Sequence, residues 1–359
     1  MAKKNKSTSK ENEAISNPEI TNQVSIKNLK KSKSKQLDIS SLIQGVLKQD
    51  IASLSKAITL IESKNTAHLK HATTLLNKCL PHSNQSIRIG ITGVPGVGKS
   101  SFIEVLGNHL ISLGKRVAVL AIDPSSSVTK GSILGDKTRM ETLAKNPNAF
   151  IRPSATGDTL GGVARKTRET IILCEAAGFD VIIIETVGVG QSETVVHSMV
   201  DFFLLLQLAG AGDELQGIKR GIIEMADAIA INKADRNNIK AAKLAASEFS
   251  KALHLYPKKP SGWQPKVTVC SALNNEGVTD IWQIIEDYIK TATKNNHLIK
   301  KRNDQNKFWL LETIKDALTS QFFDRNDIKQ ALNEQLNRIE NNKTTPFEAA
   351  NYLLQLKSK

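Results

Sequence analysis

The chain has 359 residues, 40% of them hydrophobic, and its 49 Lys and Arg outweigh 35 Asp and Glu to give a formal net charge of +14. That length allows one large α/β domain with flanking elements and a sizeable core. No apolar run reaches the roughly 18 residues that a membrane-spanning helix needs, so no membrane partner is expected. The three cysteines, Cys79, Cys174 and Cys270, lie far apart without a CxxC pair. A disulfide framework and a structural zinc site are therefore not expected, and a reducing cytoplasm is the expected compartment.

Residues 1–37 form a basic tail with nine lysines, three glutamates, no arginine and no aromatic residue. It opens Met-Ala-Lys-Lys-Asn, without the apolar core of a secretory signal. Glu11, Glu13 and Glu19 and the missing arginines argue against a mitochondrial presequence. The composition reads as a solvated arm. With nothing to stack on bases or read them, nucleic acid is not an expected partner.

Residues 38–86 carry helical periodicity. Leu42, Val46, Leu54, Ile58 and Ile61 mark one helical stretch, and Leu69, Leu75, Leu76 and Leu80 mark a second. Pro81 and the polar run 82–86 end it. Residues 87–292 then alternate strand-like and helix-like segments. Ile87–Thr92, Arg116–Ile122, Val181–Glu185, Phe202–Leu208, Ala228–Asn232 and Val267–Cys270 are short apolar runs, most of them rich in β-branched residues. This pattern predicts an α/β domain with a mainly parallel sheet covered on both faces. Residues 293–359 are charged and helical, with Phe308, Trp309, Leu310 and Ile314 on one face, to pack on the core or on another subunit.

The chemistry begins at Gly93-Val94-Pro95-Gly96-Val97-Gly98-Lys99-Ser100. The strand-like Ile89–Thr92 precedes it and a helix-like stretch from Ser100 and Ser101 follows, the context that GxxxxGK[ST] requires. Its glycines let backbone N–H groups turn inward around a polyphosphate, and the helix N-terminus adds partial positive charge. Lys99 is expected on the β- and γ-phosphates and Ser100 on Mg²⁺. Further metal and water-organising groups belong at the carboxyl ends of neighbouring strands. Asp123 sits there after Val117–Ile122, and Glu185 after Val181–Ile184. Most GTPases have Asp at the Glu185 position, so Glu marks a subclass. Gly188, three residues on, can approach the γ-phosphate through its backbone. Asp136 lies in a polar loop and alone carries no signal.

Asn232-Lys233-Ala234-Asp235 follows the strand Ala228–Ile231. The Asp235 carboxylate can accept from guanine N1–H and N2–H₂, whereas adenine lacks the exocyclic donor and leaves it poorly paired. Asn232 and the Lys233 stem would hold the ring. Ser271-Ala272-Leu273 can offer a backbone N–H to guanine O6. The ordered set predicts GTP and GDP as the nucleotides.

At this point the chain resembles the MeaB/ArgK family. The resemblance is carried by Gly93–Ser101, Asp123-Pro124-Ser125-Ser126, Gly131–Met140, Leu160–Arg165, Glu185–Glu193 and Ala209–Lys219, and spans roughly residues 40–355. It implies a P-loop GTPase core with an N-terminal helical extension at 38–86, a GTPase domain at 87–292 and a C-terminal helical dimerisation region at 293–359. It also implies a homodimer, slow hydrolysis alone and faster hydrolysis beside an adenosylcobalamin-dependent mutase of the methylmalonyl-CoA type. The adenosylcobalamin belongs to that mutase, and the GTPase acts as its chaperone, gating cofactor loading and removal of damaged cofactor. By position, Asp123, Asp136 and Glu185 are similar to the acids that organise Mg²⁺ and water. Asp213 and Lys219 are similar to the active members of a third switch loop. The loop 152–159, with Asp158, departs from the family's Pro-Ser-Ser-Gly pattern.

Other readings are weaker. The older ArgK reading, a kinase linked to arginine and ornithine transport, would pass the phosphate to an acceptor hydroxyl instead of water. A metal-insertion GTPase would carry His-rich tracts or clustered pairs of Cys/His ligands, and direct metal carriage is not expected here. His197 reads as a packing or surface histidine. Gln191 lacks the DxxGQ spacing, and Trp263, Trp282 and Trp309 read as packing residues.

Overall fold

The computed structural model describes residues 38–63, 65–122, 140–153, 160–186, 192–210 and 220–356. The chain divides into two compact units, residues 1–41 and 42–359. In the first, the Asp38 carboxylate accepts the N–H groups of Ser40 and Ser41 at 3.0 and 3.2 Å. This satisfies donors that a helix start leaves without intrahelical partners.

The second unit is built on a seven-stranded sheet with the order β3-β2-β4-β1-β5-β6-β7. The strands are β1 Ile87–Gly93, β2 Val117–Ile122, β3 Ala149–Pro153, β4 Val181–Thr186, β5 Phe202–Leu208, β6 Ala228–Asn232 and β7 Lys266–Val269. Every pairing between them is parallel. Parallel neighbours need crossover connections, and here helices supply them and cover both faces. That is why β2, β4 and β6 are apolar at nearly every position and buried throughout.

On one face, Phe102, Ile103 and Leu106 of the helix Lys99–Ser112 pack on Ile89, Ile91, Val119 and Ile183, joined by Trp282 and Tyr288 of the helix Val278–Lys294. On the other, Ile223, Ala242 and Phe249 pack on Leu205, Ile229 and Ile231. β1 lies between β4 and β5, where the strand order reverses, so a crevice forms at its carboxyl end.

Three helices, not two, precede the sheet: Ile39–Leu47, Ile51–Glu62 and Thr66–Cys79. The first stretch breaks because Gln49 takes a φ of 66° and the Asp50 carboxylate caps a new start, accepting from Ala52 and Ser53. In the last of them the buried face is Ala72, Leu75 and Cys79, while Leu69, and Leu80 just past its end, are exposed. β3 was not foreseen. It is an edge strand, with Phe150 and Ile151 buried and Arg152 turned to an ion pair with Glu62 at 2.5 Å. All three cysteines are buried free thiols.

After the sheet come Val278–Lys294, His297–Phe323, Asn326–Glu340 and Pro346–Gln355. The first turns of the second helix are anchored under the amino ends of the strands. Arg302 grips Asp201 with two hydrogen bonds at 2.9 and 2.7 Å and also donates to the carbonyls of Asn84 and Ser86. Burial alone would push the Asp201 carboxyl up, but the Arg302 hydrogen bonds and the charges of Arg302 and Arg88 outweigh it and hold it below its usual range. Breaking one side of such a buried pair costs about 3–5 kcal/mol. Beyond this anchor the apolar residues turn outward. Phe308, Leu310, Ile314 and Leu318 are exposed on this helix, as are Phe347 and Leu354 on the last one. No described helix is long and apolar enough to cross a membrane.

Candidate nucleotide site

β1 ends at Gly93 and the helix Lys99–Ser112 starts six residues later, so the glycine-rich turn lies in the crevice. Gly98 has φ 93°, and a Cβ there would come within 2.9 Å of the Asn232 side-chain nitrogen. At Gly93 a Cβ would meet the Leu206 carbonyl oxygen at 2.4 Å. Both positions exclude side chains sterically. Val97 is buried beneath the turn, Val94 is half-buried, and Pro95 and Gly96 are exposed at its rim.

The buried Lys99 ammonium donates to the carbonyls of Gly93 at 2.9 Å and Val94 at 3.2 Å. Burial pushes its pKa down, and the charges of Glu185 and Glu193 oppose that shift. Ser100 donates to Glu185 Oε1 at 3.3 Å, and both residues are buried. A hydroxyl and a carboxylate side by side are hard oxygen donors, the kind Mg²⁺ takes, so these two residues fit that ion. Among the described residues no group of three or more His, Cys, Asp or Glu is clustered. Ser101 is exposed on the outer side of the helix.

The base-side residues lie at the ends of the next two strands. Ser271 donates to Asp235 Oδ2 at 2.7 Å, fixing the carboxylate. Asn232 Oδ1 accepts from the Ala272 N–H at 3.3 Å, while Asn232 Nδ2 donates to the Val97 carbonyl at 2.8 Å. Lys233 Nζ donates to the Gly96 carbonyl at 2.7 Å. Asn232 and Lys233 thus clasp the phosphate loop, a role their motif does not announce. Leu273 is 70% exposed beside them.

The structure therefore gathers Gly93 to Ser100, Glu185, Asn232, Lys233, Asp235, Ser271, Ala272 and Leu273 at the carboxyl edge of the sheet. Asp123, Asp136, Gly188, Asp213 and Lys219 lie outside the described residues, as do Asp158 and Gln191. Three groups at this edge were missed. Glu193 is a buried carboxylate whose charge reaches Lys99. The Thr186 hydroxyl donates to that of Thr92 at 2.9 Å between β4 and β1. Gln207 is buried on β5, with neither end of its amide hydrogen-bonded among the described residues. A polar residue within the run Phe202–Leu208 was its one visible signal.

Comparison with known proteins places this geometry in context. The family model for the methylmalonyl-CoA mutase-associated GTPase MeaB matches residues 54–327. A protein of Mycobacterium tuberculosis H37Rv named "Probable GTPase" is 48% identical over 318 residues, covering 89% of this chain and 95% of its own. The mitochondrial "methylmalonic aciduria type A homolog" of Mus musculus is 41% identical over 334 residues, covering 90% and 80%. Among solved structures, that of a LAO/AO transport system kinase aligns with a TM-score of 0.72 at 36% identity, covering 89% of this chain and 98% of the other.

Proposed function

The chain belongs to the family of methylmalonyl-CoA mutase-associated GTPases of the MeaB type, and from that membership we propose that it spends GTP to time the traffic of adenosylcobalamin into and out of an acyl-CoA mutase. It is a GTP hydrolase with a P-loop fold. The observation that carries the choice of nucleotide is the Ser271–Asp235 hydrogen bond, which holds a carboxylate where it can accept both guanine donors.

The chain's own groups divide the work. The phosphate-loop N–H groups and the helix start at Lys99 bind the polyphosphate. Lys99 leaves the Gly93 and Val94 carbonyls to take up charge on the β- and γ-phosphates. Ser100 and Glu185, with Asp123 and Asp136, would hold Mg²⁺, which supplies neutralisation of phosphate charge when bound. Water attacks the γ-phosphorus in line, its bond to the bridging oxygen breaks, and GDP and inorganic phosphate leave. We assign Asp213 and Lys219 to a loop that completes this charge stabilisation only beside the mutase.

A homodimer through residues 293–359 is part of the proposal. The outward apolar side chains Leu310, Ile314 and Leu318, four residues apart along one side of the helix, support it, since monomers rarely leave contiguous apolar faces in water. We place the protein in the cytoplasm, where its three free thiols would stay reduced.

Capture with a non-hydrolysable GTP analogue tests the partnership. An adenosylcobalamin-dependent mutase should be retained with the analogue, and its absence from the captured material contradicts the proposal. The name of the solved relative favours one other reading, a kinase. GTP labelled in its γ-phosphate separates the two: a hydrolase releases all label as inorganic phosphate, and a kinase leaves it on an acceptor.

A further inference from the structure

A second site lies at the amino ends of the strands, away from the phosphate loop. There a cleft of about 70 Å³ is lined by residues such as Arg88 at the start of β1, Ser198 before β5, Arg168 and Trp309. That space takes a few waters or one small polar group with a short apolar stem, and not a nucleotide.

Arg168 is the unusual member. It is only 7% exposed. Its Nη2 donates to the Ser198 hydroxyl at 2.5 Å, and that hydroxyl donates on to the Val195 carbonyl, so the guanidinium is held in place. The rings of Phe308 and Trp309 lie 5.6 and 5.9 Å from its central carbon. Two neighbouring guanidinium groups each grip a carboxylate: Arg88 holds Glu175 and Arg302 holds Asp201. Arg168 holds none among the described residues, and its buried Nε has no acceptor there. Burial pushes its pKa down to about 10, against the charge of Glu312, so it stays a cation at neutral pH. A buried guanidinium with no carboxylate hydrogen-bonded to it is costly, and its fork fits a carboxylate edge.

We propose that this cleft is a carboxylate site, in which Arg168 receives one carboxylate and Ile171, Ile172 and Trp309 line its aliphatic stem. The carboxylate comes either from a free short-chain acid or from an Asp or Glu side chain of a second copy of this chain. Both present the same group to Arg168.

The test is a titration of the full chain with sodium propionate at constant ionic strength, with sodium chloride as the control, followed by tryptophan fluorescence. Trp309 lines the cleft, whereas Trp263 and Trp282 are buried elsewhere. The expected result is a saturable change beyond the chloride control that weakens at least about tenfold in Arg168→Gln. Arg168→Lys keeps the charge without the fork, and should weaken it too if the Gln variant does not fold. Sedimentation during the same titration separates the sources. Loss of self-association as propionate binds assigns the site to a side chain of the second copy, and an unchanged mass assigns it to a free acid. No saturable response in the unaltered chain, or an equal response in a folded Arg168 variant, overturns the proposal.

Discussion

The side-chain amide of Asn232, at the end of β6, donates to the main-chain carbonyl of Val97 inside the phosphate loop at 2.8 Å. Its oxygen accepts from the Ala272 N–H on the opposite side. One residue thus ties the loop that faces phosphate to the segment that faces the base, across 135 positions of sequence. Asn232→Ala would leave the buried Val97 carbonyl without its donor, at a cost of about 1–3 kcal/mol. Binding of both GTP and GDP should weaken together, by roughly tenfold or more. Equilibrium titration with fluorescent GTP and GDP checks this. A loss confined to GTP would mean that the clasp acts on the γ-phosphate alone.

Asp235 is predicted to set the base. Asp235→Asn replaces an acceptor by an amide that cannot accept from both guanine donors. It can donate to the C2 carbonyl of xanthine, which stands where guanine has its amino group. Affinity should shift from GTP to xanthosine triphosphate, with GTP weakened by about 10²-fold or more. Competition binding measures it. Ser271→Ala, which frees the same carboxylate from its 2.7 Å hydrogen bond, should weaken GTP without any gain for xanthosine triphosphate.

Ser100 and Glu185 are predicted to govern the metal requirement. Ser100→Ala removes one of two buried oxygen donors that lie 3.3 Å apart. The Mg²⁺ concentration for half-maximal hydrolysis should rise by about tenfold, which a Mg²⁺ titration of phosphate release would read. Glu185→Gln should lower kcat as well. An unchanged Mg²⁺ dependence in both variants would remove these residues from the metal site.

His197 gives a pH dependence. It packs edge-on against Phe203, with ring centroids 5.4 Å apart. Burial pushes its imidazole down to about 4, and the charge of Lys301 adds to the effect. The unfolded chain takes up this proton below about pH 6.5 while the folded chain refuses it, so the unfolded state binds more protons in that window. Stability should fall as pH drops from about 6.5 towards 4, by on the order of 3 kcal/mol from this group. Urea unfolding at about pH 7 and about pH 5 should show a smaller difference for His197→Phe than for the unaltered chain.

Much of the fold was legible because the parallel strands are buried on both sides. Phe202–Leu208 and Ala228–Asn232 carry the same bounds as runs of sequence and as strands. β3 was not legible, since an edge strand of five residues ending in Arg152 and Pro153 has too little apolar signal. The break at Gln49 and Asp50 hides within a helical period, because one left-handed residue and one cap leave the spacing of leucines almost intact. The phosphate loop and Asn232–Asp235 read clearly because each motif is local. Contacts between motifs do not show in spacing, which is why the grip of Asn232 on Val97 and of Lys233 on Gly96 came only with the structure. The cleft at Arg168 is of the same kind, assembled from segments distant in sequence.

The most direct test of the central claim is GTP hydrolysis by the full chain, measured with and without a purified adenosylcobalamin-dependent acyl-CoA mutase. The account predicts slow turnover alone, a rate higher by about tenfold or more with the mutase, and a ratio of the two rates that collapses towards one in Lys219→Ala. An equal rate with and without a mutase that binds the chain would contradict it.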